Sequence, residues 1–107
     1  MIRWKQLAQG VLAAAAAPIY APTPGTYAAV HAATASNPTD EPVTVEIWIA
    51  RANAKDSGRR VAAAVVPPGE TRPVADLVNH KLEPGMTLSA AGAGVELTVS
   101  GAENVPE

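Results

Sequence analysis

Residues Thr26–Arg51 constrain the fold more than any other part of the chain. They read TYAAVHAATASN, then Pro38-Thr39-Asp40-Glu41-Pro42, then VTVEIWIAR. In the second run Val43, Val45, Ile47 and Ile49 alternate with Thr44, Glu46, Trp48 and Ala50. A period of two belongs to a pleated strand with one buried face. The segment between the runs is turn chemistry, because proline has no amide hydrogen to donate to a ladder.

The same punctuation recurs along the chain. Pro18, Pro22, Pro24-Gly25, Pro67-Pro68-Gly69, Pro84-Gly85, Gly92 and Gly94 all separate short apolar runs. Regular turn signals of this kind predict an all-β fold. We expect a compact antiparallel β-sandwich, Ig-like or jelly-roll-like, of about six to eight strands. The length of 107 residues predicts a single domain over 1–107.

Leu7–Ala17 reads as a first strand or strand pair, although its alanines favour helix locally. Ile19–Ala21 is a short extended piece. Strands are expected over Thr26–Ser36, Val43–Arg51 and Arg60–Val66, the last with Val61, Ala63 and Val65 on one face. Asn53–Arg59 reads as a polar loop. Glu70–Val74 is expected to pair after the Pro67-Pro68-Gly69 turn. Asp76–His80 predicts one helical turn with Asp76 as its N-cap. Thr87–Ala91 and Val95–Ser100 predict a final hairpin around Gly92-Ala93-Gly94, with Val95, Leu97 and Val99 inward. Residues 102–107 read as a loose tail.

Arg3 and Lys5 precede the apolar stretch Val11–Ala17, which imitates a secretory signal. Cleavage after Ala17 would leave Pro18 directly behind the cut, which disfavours processing. The stretch is also shorter than the roughly 20 apolar residues a membrane span needs. We therefore expect residues 1–20 to serve as an N-terminal arm or first strand, and we expect no membrane partner.

The aromatic content is low, at two Trp, two Tyr and no Phe. Each buried aromatic normally supplies about 150–250 Å² of apolar area, so a core of Ala, Val, Leu and Ile is thin. Neighbouring subunits are an expected source of further burial, which predicts a homo-oligomer. Trp48 falls on the face opposite the Val/Ile stripe, and tryptophan is enriched at binding hot spots. The expected interface residues are Trp4, Tyr20, Tyr27, His31, Trp48 and Arg51. His31 reads as sharing an outward face with Tyr27, Ala29, Ala33 and Ala35.

The chemistry of catalysis is missing from the pattern. The net charge is −2, and Arg59-Arg60 with Lys55 nearby is the sole close basic cluster, so no nucleic-acid partner is expected. Cysteine is absent, which removes disulfides and thiolates. His31 and His80 are too few to imply a metal site without further ligands converging. Asp40-Glu41, Asp76 and Glu83 lack an evident acid–base partner. Ser36, Ser57, Ser89 and Ser100 lie in no nucleophile elbow. Gly92-Ala93-Gly94 precedes a strand, whereas a dinucleotide loop must open a helix. No catalytic residue, metal or cofactor is expected.

One further pattern is a family resemblance. Trp4-Lys5-Gln6-Leu7-Ala8-Gln9-Gly10 is followed by Ile19-Tyr20-Ala21-Pro22 and Pro24-Gly25-Thr26, then by Ala32–Asn37, Val43–Ile49 and Leu82-Glu83-Pro84-Gly85-Met86-Thr87-Leu88-Ser89. The arrangement resembles small structural proteins of tailed bacteriophages and prophages. Met86-Thr87 departs from it, standing where an acidic residue is frequent. The resemblance implies a non-enzymatic virion protein, repeated around the capsid, neck or tail and bound to other virion proteins. Two other roles fit the residues. One is a carbohydrate- or host-surface-binding module of a phage fibre, with Trp48 and Tyr27 stacking on sugar. The other is a secreted β-sandwich adaptor.

Overall fold

A computed structural model describes residues 1–51 and 58–106. Nine strands and one 3-10 turn lie among them: β1 Ile2–Val11, β2 Ala17–Tyr20, β3 Tyr27–Ser36, β4 Val43–Ala50, β5 Arg59–Val66, β6 Thr71–Pro73, the turn Ala75–Leu77, β7 Lys81–Leu82, β8 Thr87–Ala91 and β9 Glu96–Asn104. The count exceeds the expected six to eight because β6 and β7 are fragments of three and two residues.

Two antiparallel sheets face each other. One has the order β1-β9-β3-β6, with β7 also paired to β3; the other has the order β2-β8-β4-β5. β6 and β7 pair with opposite ends of β3, at Thr34–Ser36 and at Ala28–Ala29, so together they form one interrupted edge strand. Apart from β4 to β5 and β6 to β7, every connection crosses between sheets. This is jelly-roll connectivity, which decides between the two sandwich types expected.

That connectivity corrects two local expectations. β8 and β9 are not a hairpin, because β8 pairs with β2 and β4 while β9 pairs with β1 and β3. Gly92-Ala93-Gly94 is instead a corner between sheets, and a Cβ on Gly94 would lie 2.9 Å from Thr39 Cγ2. Likewise Thr71–Pro73 pairs with β3 and not with the preceding strand. Turn residues reveal where a chain reverses, but not which sheet it enters next.

The core forms where inward faces meet. Val30, Val45, Ile47, Val66, Leu77, Leu82, Leu88, Val95 and Val99 are fully buried, and the inward stripe Val95, Leu97 and Val99 is as expected. Other faces were shifted by irregular pairing. A register break between Val30 and Ala32 puts Tyr27, Ala29 and His31 outward but Ala33 and Ala35 inward. One extra residue in a strand transfers all later side chains to the other face. On β5 the buried residues are Ala62 and Val66, while Ala63 and Val65 are exposed.

The termini differ from expectation as well. β1 begins at Ile2, and the alanines 13–16 form a tight exposed turn before β2 rather than strand or helix. The expected loose tail is paired through Asn104, opposite Ile2 and Tyr27, and the Val105 amide donates to the Met1 carbonyl at 2.7 Å. Val74, not Asp76, occupies the N-cap position of the 3-10 turn, without a side-chain cap. The expected polar loop 53–59 lies outside the described residues up to Ser57, and Arg59 already belongs to β5.

Candidate interaction surfaces

The expected interface residues separate into three locations. Trp4, Tyr27 and His31 converge on the outer face of the first sheet. Trp4 is opposite Ala102, which is opposite Ala29; Ile2 is opposite Asn104, which is opposite Tyr27. The small side chains Ala29 and Ala102 floor a trough of about 330 Å³ walled by Ile2, Trp4, Tyr27 and His31. The Trp4 and His31 rings sit 5.0 Å apart, tilted by 54°. Trp4 is 73% exposed and Tyr27 55% exposed. Large apolar groups this open, gathered together, mark an interaction surface more than scattered ones do.

Tyr20 has a different task. Its hydroxyl donates to the Glu103 carboxylate, joining β2 of one sheet to β9 of the other. Lys5 adds an ion pair to Glu103 at 3.5 Å. Burial, reinforced by the bonded Glu103 carboxylate and its charge, pushes the Tyr20 phenol well above its ordinary range. Tyr20 thus closes the sandwich internally.

Trp48 is half-buried on β4, level with Ser89 and Arg60 on its neighbours. It lies in the second sheet and Tyr27 in the first, so the two cannot make one sugar-stacking face. Arg60, its neighbour on β5, pairs with Glu46 at 3.0 Å.

Arg51 opens a third region. It lines a cavity of about 430 Å³ with Arg59, His80 and Lys81, against an apolar wall of Ile49, Val61 and Met86. Among the described residues neither Arg51 nor Arg59 has an ion-pair partner. Sequence reasoning missed this basin, because its residues come from β4, β5 and the stretch around β7, which are far apart in sequence. Arg59-Arg60 gave a partial signal, but alternation sends the two side chains to different surroundings.

The opposite end of the sandwich carries acid. The turn 37–42 joins β3 to β4 around Asn37, which is 1% exposed. Asn37 Nδ2 donates to the Glu41 and Val66 carbonyls, both at 2.8 Å. Its Oδ1 accepts from the Thr39 amide at 3.0 Å and the Thr39 hydroxyl at 2.6 Å. The result is an Asx-type turn that holds Asp40 and Glu41 in solvent.

Among the described residues no group of three or more His, Asp or Glu side chains could hold a metal ion. No helix there is long and apolar enough to cross a membrane.

Comparison with known proteins places the fold. No family model and no curated protein matches the chain. A solved chain described by the words "Bacillus endospore appendages form a novel family of disulfide-linked pili" is similar in structure, with a TM-score of 0.56 and 18% identity. The match covers 100% of this chain and 90% of that one. At this identity the likeness shows a common sandwich fold.

Proposed function

We propose that this chain is a non-enzymatic subunit of an extracellular, pilus-type appendage, assembled from many copies of itself. The observation that carries the reading is the state of the four sheet edges. β2 and β6, of four and three residues, contain Pro18 and Pro73, and short or proline-bearing edges resist pairing. β1 and β5 are ten and eight residues long and proline-free. They end different sheets, and they lie on opposite flanks: β1 contacts β2, while β5 contacts the 3-10 turn after β6. A long open edge is a template for another strand. One such edge on each flank permits head-to-tail addition, which extends as an open filament when the rotation between successive copies does not close a ring.

The fold it shares with the appendage protein supports this assignment. That protein's pili are described as disulfide-linked, whereas this chain has no cysteine. Links made through it are therefore free of disulfides. A second reading, the virion subunit implied by the sequence resemblance, is favoured by the jelly-roll connectivity, which viral capsid domains also use. There the copies would be arranged on a capsid, neck or tail protein.

Electron microscopy and sedimentation of the purified chain over a concentration series test the assignment. We expect linear polymers. Ala63→Lys with Val65→Lys, which charges the exposed side chains of the β5 edge, is expected to leave a folded chain that no longer polymerises. Polymerisation only after adding capsid or tail proteins would favour the virion reading. A monomer under all these conditions would remove both.

A further inference from the structure

The two ends of the sandwich carry opposite charge. At one end lie Asp40 and Glu41 in the turn before β4, with Glu96 at the start of β9 and Glu70 before β6, the last paired to Arg72 at 2.6 Å. Val43 and Glu96 begin their strands here, because Glu96 pairs with Ser36, the last residue of β3. At the other end lie Arg51, Arg59 and Lys81 around the basin, with Arg3 and Lys5 at the start of β1. Among the described residues two acids share that end: Glu83 is exposed, and Glu103 is engaged by Tyr20 and Lys5. The molecule extends 46 Å along its longest axis against 29 and 19 Å across.

β4 links these features directly. The acidic turn precedes Val43 and the basin begins at Arg51, just beyond Ala50. Translating one copy along β4 therefore brings the acidic turn of the next copy over the basin of the first. The turn exposes Asp40 and Glu41 and is held in shape by the buried Asn37, so little ordering is lost when it docks. The basin offers Arg51 and Arg59, guanidinium groups whose planar forks suit carboxylates. We propose that the Asp40-Glu41 turn of one copy seats in the Arg51–Arg59–Lys81 basin of the next, so that polymers grow end to end with a fixed polarity. This rests on the self-assembling reading above and adds a longitudinal contact to its lateral edges.

The test uses two charge-reversed chains at low ionic strength, followed by light scattering and electron microscopy. One is Asp40→Lys with Glu41→Lys; the other is Arg51→Glu with Arg59→Glu. The first has cations at both ends and the second has anions at the basin end as well as the turn. Each alone is expected to lose longitudinal growth by at least about tenfold, since apposed like charges oppose docking. An equal mixture is expected to restore growth as alternating copies. Wild-type growth is expected to fall in 1 M salt, where screening acts beyond about 3 Å. Circular dichroism verifies that each variant folds; if a reversal unfolds the chain, Asp40→Asn with Glu41→Gln replaces it and is expected to remove the salt dependence. Wild-type-like growth of either reversed chain alone, or a mixture that shows no more longitudinal growth than either reversed chain alone, overturns the proposal while leaving lateral assembly intact. Absence of any wild-type polymer overturns the assembly reading as well.

Discussion

The acidic end and the basic end of this sandwich are built on different principles. At the acidic end one buried amide, Asn37, organises the whole turn through four hydrogen bonds, and Gly94 lets the neighbouring corner close onto Thr39. At the basic end the sheets are fastened at one side by Tyr20 and Glu103, while Arg51, Arg59 and Lys81 surround open space. Local polar satisfaction shapes a tightly held turn at one end, and a fastening placed to one side leaves an open basin at the other.

Four substitutions probe the difference between the two ends. The largest effect is expected at Gly101, near the basic end, where a Cβ would lie 2.0 Å from the Ala29 carbonyl oxygen. Gly101→Ala must push β9 from β3 and is expected to cost more than about 3 kcal/mol in urea unfolding. Next is Asn37→Ala, which leaves the buried Val66 carbonyl without its side-chain donor and releases the turn; we expect a loss of about 2–3 kcal/mol. Its crystal structure should show a rearranged acidic turn with an unchanged basin.

Tyr20→Phe should matter less, costing about 1–2 kcal/mol in the same assay. It also has a pH signature. The folded phenol titrates above its unfolded value of about 10, so its contribution is intact below that pH and is lost as pH rises through the folded value. Wild-type stability should therefore fall more steeply than that of Tyr20→Phe above about pH 10. Equal slopes would show that the fastening does not hold in solution. The smallest effect is expected for Trp4→Ala, within about 0.5 kcal/mol for the isolated chain, because its side chain is largely in solvent. A larger loss would mean that Trp4 supports the fold and does not serve the surface.

Much of the architecture was legible because alternation and turn chemistry are local. Val43–Ile49 and Val95–Val99 show their buried faces directly in the sequence. Trp4, Tyr27 and His31, which the sequence reading put at an interface, lie together on one face of the first sheet. What escaped was non-local. The extra residue at the β3 bulge reversed the faces of Ala33 and Ala35, and inter-sheet crossings replaced the expected hairpin at Gly92-Ala93-Gly94. Tyr20 looked available to a partner, but Glu103, distant in sequence, claims its hydroxyl. The basin was hidden for the same reason, since its cations meet only after β4, β5 and β7 have been placed.

On the proposed function, this chain adds to copies of itself through surfaces the fold leaves open. Sedimentation velocity of the purified wild-type chain, from low to high micromolar concentration at low ionic strength, tests it most directly. A growing series of larger species, seen as linear polymers by electron microscopy, is expected. A single species with the mass of one chain across the whole range would contradict it.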